Sequence, residues 1–211
     1  MSKPEEKKNQ GQQKSAWREY GEALFMAILL ALFIRTFVVQ AFKIPSGSML
    51  PTLEIGDHLL VNKFIYGIRI PFVGKRILTF RPPERDDVIV FVYPQDRSKD
   101  FIKRVKGLPG ESVEIRDGDL YIDGEQVEDP YAHHDPIRST GGRSPRDNFG
   151  PYVVPEAHVF VMGDNRDHSH DSRFWGPVEL DDILGKAFIL YWSWDSEHFR
   201  PRWGRLGMGI P

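Results

Sequence analysis

Residues 23–42 read ALFMAILLALFIRTFVVQAF. Twelve residues pass without a charge, Arg35 and Thr36 interrupt, and FVVQAF closes the run. Wound as a helix, the stretch is about 30 Å long, the thickness of a bilayer core. A buried helix of a soluble protein accounts for the first twelve residues but not for their extension. A cleavable leader is the second alternative, because Val39-Gln40-Ala41 has small residues at the spacing of a cleavage site. The apolar run is longer than a leader's hydrophobic region, however, and a 22-residue polar lead is long for one. The reading adopted is a retained membrane anchor. Arg35 is its cost, about 3 kcal/mol at mid-span and less toward an interface that its long stem can reach. Five basic residues precede the run (Lys3, Lys7, Lys8, Lys14, Arg18), whereas only Lys43 and Lys63 follow closely. That asymmetry sets residues 1–22 in the cytoplasm as a polar tail, mobile over 1–16, and the rest outside. The expected address is therefore the cytoplasmic membrane, crossed once.

Beyond the anchor, residues 43–211 read as one extracytoplasmic β domain. Short runs rich in Val, Ile and aromatics predict strands at His58–Val61, Val88–Tyr93, Phe101–Val105, Val113–Ile115, Leu120–Ile122, Val159–Met162 and Ala187–Trp192. Asp117-Gly118 and Asp123-Gly124 are hairpin turns, since both positions of such a turn need φ above zero. Residues 129–151 read as a long exposed loop. With 28 basic and 30 acidic residues the formal charge is −2, which gives no basic stripe for nucleic acid. There is no cysteine, which removes disulfides, thiol catalysis and thiolate-bound zinc. Oxygen nucleophiles and nitrogen bases remain.

Three segments carry chemistry. In Lys43-Ile-Pro-Ser-Gly-Ser-Met-Leu-Pro-Thr-Leu53, Gly47 permits a sharp turn that exposes a serine beside backbone N–H groups. By itself this is as readily a Ser/Gly turn leading into a strand. A serine needs a base, and although seven histidines are present, none has a triad context. The stronger base is Lys103 in FIKRVKGLPGE (101–111): on a regular strand Phe101, Lys103 and Val105 share a face. Apolar flanks strip water from the ammonium, and Arg104 adds positive potential, so the amine is pushed toward a pKa of about 7–8. The plain alternative is a solvated basic cluster. In the third segment, MGDNRDHSHDSR (162–173), residues 163–165 suit a tight turn and Asp171 can pair with Arg173. His168 and His170, like His133 and His134, lack the spacing of metal ligands, and neither a metal nor any other cofactor is expected.

Together PSGSMLPTL (45–53), GDHLLVNKFIYG (56–67), FIKRVKGLPGE (101–111) and GDNRDHSHDSRFWG (163–176) resemble the bacterial type I signal peptidases, in order and spacing. The resemblance implies a largely antiparallel, barrel-like catalytic β domain and a membrane-anchored serine endopeptidase. Its substrates would be exported preproteins, cut after small residues at −3 and −1. It also implies the roles. Ser48 is the nucleophile and Lys103 the general base; the Ser48 N–H and the Ser46 hydroxyl form the oxyanion hole. Ser169 hydrogen-bonds the Lys103 amine, and Asp171, Arg173 and Arg104 brace the site. Phe42, Ile44, Met49, Leu53 and Ile102 line the small-residue pockets. Because Ile102 and Lys103 face opposite ways on a regular strand, both serve one site only if the strand bends or substrate lies along its edge. Implied partners are preprotein signal peptides, membrane lipid and a nearby secretion translocon, with monomer as the default state.

The sequence departs from many members in having one span and no cysteine pair, and in placing histidines on both sides of Ser169. Two rivals remain at this stage: a soluble, self-cleaving serine–lysine protease, and a tethered binding protein with a degenerate site. Val39-Gln40-Ala41 also raises slow self-cleavage after Ala41.

Overall fold

The computed structural model describes residues 16–69, 76–135 and 144–211. Helix α1 covers Ala16–Phe33, and a wider π-helical turn, Ile34–Val38, continues it. Trp17–Val38 is long and apolar enough to cross a membrane, and its large side chains are exposed. The helix expected over 23–42 is therefore shifted toward the N-terminus. It takes in Arg18 and Glu22, which pair one turn apart at 3.0 Å, and it ends before Val39. Two adjacent β-branched residues, Val38 and Val39, favour extended backbone at that point. A partner strand is also at hand to take up the freed amides and carbonyls. The shift answers the objection raised by Arg35, which now lies in the last turn of the span. There the side chain can reach an interface and sits at the negative end of the helix dipole. The tail over 1–15 lies outside the described residues.

Strand β1, Val39–Lys43, is antiparallel to β2, Asp57–Asn62, in unbroken register from Val39↔Asn62 to Lys43↔His58. A short hairpin follows, β3 (Ile68–Arg69) with β4 (Arg76–Leu78). Then come β5 (Val88–Val92), β6 (Asp100–Gly107), β7 (Ser112–Arg116), β8 (Asp119–Ile122) and β9 (Glu125–Gln126). The chain continues through β10 (Phe149–Val153), β11 (His158–Met162) and the one-turn helix α2 (Ser172–Trp175). It finishes with β12 (Val178–Glu179), β13 (Ile183–Asp195) and β14 (Arg200–Pro201).

All seven strands read from the sequence are present, most of them longer by a residue or two at either end. The main sheet has the order β1-β2-β13-β5-β6-β11-β12, with β14 attached to β13, and the described strands do not close into a barrel. A smaller sheet, β10-β7-β8-β9, packs its own core of Val113, Ile115, Leu120, Ile122, Val154, Phe160 and Met162. Both Asp-Gly turns have positive φ at each residue, 51° and 92° at Asp117-Gly118 and 54° and 85° at Asp123-Gly124.

Two further cores occupy the faces of the main sheet. One gathers Ile44, Met49, Leu53, Leu59, Val61, Val88, Val90, Ala187 and Leu190. The other gathers Tyr66, Ile89, Phe91, Val105, Val159, Val161, Val178 and Ile183. Adjacent residues Ile89 and Val90 of β5 enter opposite cores, so this strand is covered on both faces and reads as a continuous apolar run.

The loop expected over 129–151 needs two corrections. Phe149–Val153 is strand, paired with β7, because Phe149 and Tyr152 fill the edge of the smaller core. At the other end Asp129 is buried rather than exposed, accepting from both Lys106 and Arg166. Burial pushes the Asp129 carboxyl up, but these two cations outweigh it and hold it below the usual carboxylate range. Residues 136–143, which include Ser139-Thr140-Gly141-Gly142, lie outside the described residues.

Phe91 is fully buried against Phe101 and Trp175, whereas Phe199 is 80 % exposed. Phe91→Ala is expected to cost about 3–5 kcal/mol and Phe199→Ala less than about 0.5. Denaturant unfolding of the detergent-solubilised chain checks the contrast; equal effects would contradict the packing.

Candidate active site

The segment between β1 and β2 is a closed loop. At its neck Ile44 N donates to Asp57 O at 2.8 Å and Gly56 N to Ile44 O at 3.0 Å. Ile44, Met49 and Leu53 are buried in the core beneath it and act as pins. Inside, Leu50 N donates to Gly47 O and Leu53 N to Met49 O. From outside, the Asn165 side chain donates to Gly47 O at 3.0 Å and its backbone N–H to Ser48 O at 3.2 Å. Pinned below and held from the side, the loop presents Ser46, Gly47 and Ser48 to a cleft.

Lys103 meets Ser48 there. Its side chain is only 4 % exposed, and Nζ lies 2.6 Å from Ser48 Oγ and 2.9 Å from Ile102 O. Burial is the main influence on this amine and lowers its pKa to about 8. Asp171 and Asp164 oppose the shift, and Arg173 assists it. The sequence reading assigned that assistance to Arg104; the structure assigns it to Arg173.

Two buried ion pairs lie behind the dyad. Arg173 is bidentate to Asp171, with both contacts at 2.8 Å, and Asp171 also accepts from Gly163 N and caps α2 through Arg173 N. Burial would raise the Asp171 carboxyl, but the hydrogen bonds and charge of Arg173 bring it below its ordinary value. Arg104 is bidentate to Asp164 at 2.8 and 2.7 Å, and Thr52 donates to the same carboxylate at 2.6 Å. The Tyr131 ring lies 3.7 Å from the Arg104 guanidinium carbon. Asp164, Thr52 and Tyr131 were not singled out in the sequence. In the sequence Asp164 reads as a turn residue, and nothing in the spacing shows that a buried arginine 60 residues upstream needs it. Arg104 thus pairs with Asp164 and not with Asp171.

Ser169 is fully buried, yet its hydroxyl makes no hydrogen bond of good geometry, and the expected bond to the Lys103 amine is not formed. It lies near the Asp171 carboxylate and helps to hold that group's pKa down. Gly163 makes this closeness feasible. A Cβ there would stand 2.3 Å from Ser169 Oγ and 2.4 Å from Ser48 O, closer than any side chain tolerates.

The cleft above the dyad has a volume of about 450 Å³. Ile102 and Lys103 both line it, although they alternate along β6, because the cleft runs along the edge of the strand. On one side β5 pairs with β6 from Asp100 to Arg104, whereas β11 pairs on the other side only from Arg104 onward. Among the described residues, Phe101–Lys103 has no strand partner on that second side. Of the five residues expected to line pockets, only Ile102 does so. Ile44, Met49 and Leu53 are sealed in the core, and Phe42 packs against the same cluster. Pro45, Asn165, His168 and His170 take their place on the walls.

The histidines of the cleft form no group with metal-ligand geometry. Among the described residues that geometry occurs at Asp195, Glu197 and His198. Asp195 already accepts there from Glu197 N, His198 N and His198 Nδ1, which makes it the organiser of the β13–β14 turn.

Comparison with known proteins shows what the chain is similar to. The family described as "Signal peptidase, peptidase S26" matches residues 17–192. A signal peptidase I from Pseudomonas fluorescens is 39 % identical over 90 % of this chain and 78 % of its own length. One from Leptolyngbya laminosa is 42 % identical over 79 % of this chain and 75 % of its own. A crystal structure of a signal peptidase I from Enterococcus faecalis is 33 % identical, with a TM-score of 0.40 over 51 % of this chain and 98 % of that one.

Gly163→Ala is expected to separate Ser48 from Lys103 by pushing on Ser48 O and Ser169. A displacement near 1 Å lowers precursor processing by about 100-fold. Measured kcat/KM on a signal-peptide substrate checks it; activity within about threefold of the parent would contradict the close packing.

Proposed function

The chain belongs to the type I signal peptidases of family S26, and within that family we propose that it cleaves preproteins with Ser48 as nucleophile and Lys103 as general base. The observation that carries the reading is the 2.6 Å approach of Lys103 Nζ to Ser48 Oγ with the amine buried. A serine hydroxyl becomes a competent nucleophile only when a neutral base takes its proton. An amine with a pKa of about 8 is neutral in a substantial fraction near neutrality.

In this mechanism Ser48 Oγ attacks the carbonyl carbon of the scissile bond as its proton passes to Lys103 Nζ. The developing oxyanion takes hydrogen bonds from the Ser48 N–H and the exposed Ser46 hydroxyl. Lys103 then hands its proton to the departing amine, and the mature chain leaves. Water enters and its oxygen attacks the acyl carbon as one of its protons passes to Lys103; the bond from that carbon to Ser48 Oγ then breaks as Lys103 returns the proton to Oγ, which frees the signal peptide and restores the dyad. A rotation of the Ser169 hydroxyl would give Lys103 a fixed partner during these transfers. Asp171 with Arg173, and Arg104 with Asp164, keep the surrounding charge paired.

The unpartnered edge of β6 supports binding of an extended substrate as an added strand. Successive side chains of such a strand alternate in direction, so −1 and −3 face the same wall. Ile102 and the backbone of Pro45–Ser48 would make that wall, with Ile44, Met49, Leu53 and Phe42 as the packing behind it. A wall this close to the nucleophile admits Ala and excludes bulk. The apolar span supports anchoring in the inner membrane. With the span at Trp17–Val38, the proposed topology has residues 1–16 in the cytoplasm and 39–211 outside, where preproteins emerge.

Ser48→Ala and Lys103→Met are each expected to reduce processing of a precursor in detergent by about 10⁴-fold, with unfolding transitions retained. Processing by either variant at the parent rate would overturn the dyad. The pH dependence has a defined sign. Below about 8 the amine is protonated and cannot accept, so kcat/KM should rise about tenfold per pH unit and level off above that value. A profile flat from pH 6 to 9 would exclude Lys103 as the base. Replacing Ala at −1 by Phe should abolish cutting, as the wall requires.

A further inference from the structure

We propose that His168 and His170 are specificity-determining residues, whose imidazoles receive an acidic side chain of the precursor next to the cut. The inference rests on the reading of Ser48 and Lys103 as the catalytic pair. Ser169 has extended backbone, φ −110° and ψ 132°, so the residues on either side of it project to the same side of the chain. Ser169 is buried and both histidines are exposed, and both line the cleft together with Ser48 and Lys103. Two imidazoles are thus set side by side at the wall of the catalytic cleft, spaced by one inward-facing residue.

Their surroundings leave them ring N–H groups to offer. His170 rests against the Phe174 ring with centroids 5.1 Å apart, and the Arg146 guanidinium lies 5.1 Å from that same ring. Beneath them Asp171 and Arg173 neutralise each other within the protein. His168 Nε2 stands 3.6 Å from Asp135, beyond hydrogen-bond distance. Asp167 turns away to accept from Asp135 N at 2.7 Å and faces His134 at 3.6 Å. Asp100, from the β6 edge, and the deep Lys103 are the other ionisable groups on the walls.

A carboxylate has two oxygens and about four acceptor sites, which suits a pair of neighbouring N–H donors. An imidazole N–H that donates to a carboxylate makes a charge-assisted bond, because the acceptor is ionised. A lysine or arginine at the same substrate position has no acceptor to offer these two donors. The matching substrate class is therefore preproteins with Asp or Glu at a position whose side chain points at this wall.

The test is a set of signal-peptide substrates in which Asp and Asn are compared at each position from −4 to +4 other than −3 and −1. For the parent protein, kcat/KM for Asp should exceed that for Asn by about fivefold at one or two positions, the size of a partly exposed ion pair. In His168→Asn/His170→Asn that ratio should fall to about one. The ratio is internal to each protein, so a change in overall rate does not affect it. His168→Glu/His170→Glu should reverse the sign and favour Lys over Gln at the same positions. No position above twofold in the parent, or a preference that survives the double substitution, overturns the inference. A parent protein that cuts none of the substrates overturns the dyad reading itself, and this inference with it.

Discussion

The burial of the Lys103 ammonium is the constraint around which the site is organised. Removing a single positive charge from water is costly, and the cheapest response is for the amine to give up its proton. That response lasts only while no unpaired anion stands nearby. Two carboxylates do lie close, Asp164 and Asp171, and each would favour the charged amine. Each is also held bidentate by its own guanidinium, which offsets part of that negative field, and burial outweighs what remains. The arginines brace the loops and, in doing so, shield the amine from the acids.

Much of this was legible in the residue order. Alternation and turn chemistry predict strands wherever a run meets the core on one face, and β5 stands out by being apolar on both. The DG turns are legible because two successive positive φ angles admit few residue pairs. The Ser48 and Lys103 segments are legible because glycine, proline and flanking apolar residues constrain them locally. Boundaries failed where tertiary pairing overrode local preference. VQAF (39–42) continues the apolar run of the helix before it, and pairing with β2, added to the β preference of Val38 and Val39, turns it into a strand. Asp164 and Thr52 escaped notice because their partner is distant in the chain. Ile44, Met49 and Leu53 were placed on pocket walls because an apolar residue beside a serine looks the same in sequence whether it faces a cleft or a core.

Paired charges also explain how the long 129–151 connection is used. Asp129 reaches under β6 to Lys106 and Arg166, and Tyr131 lies over Arg104. His133 then bridges to the segment of Asn165, whose side chain holds Gly47. An apparent surface excursion thereby ties β6 to the loop of Ser48. A buried ion pair of this kind adds little to stability over a hydrophobic equivalent, but it fixes register, and an active site depends on register.

Strand β1 follows the span directly: Val38 still accepts from Lys63 N, and Val39 is already paired with Asn62. No tether separates the helix from the sheet. With Trp17–Val38 in a bilayer, the five residues of β1 carry the chain at most about 17 Å from the end of the span to the start of the short loop that bears Ser48. The blade is mounted on a rigid post rather than swung on a cord. A precursor held by its own apolar helix must then bring its cut to one fixed height above the lipid, and a bond carried higher or lower is out of reach however well its side chains fit.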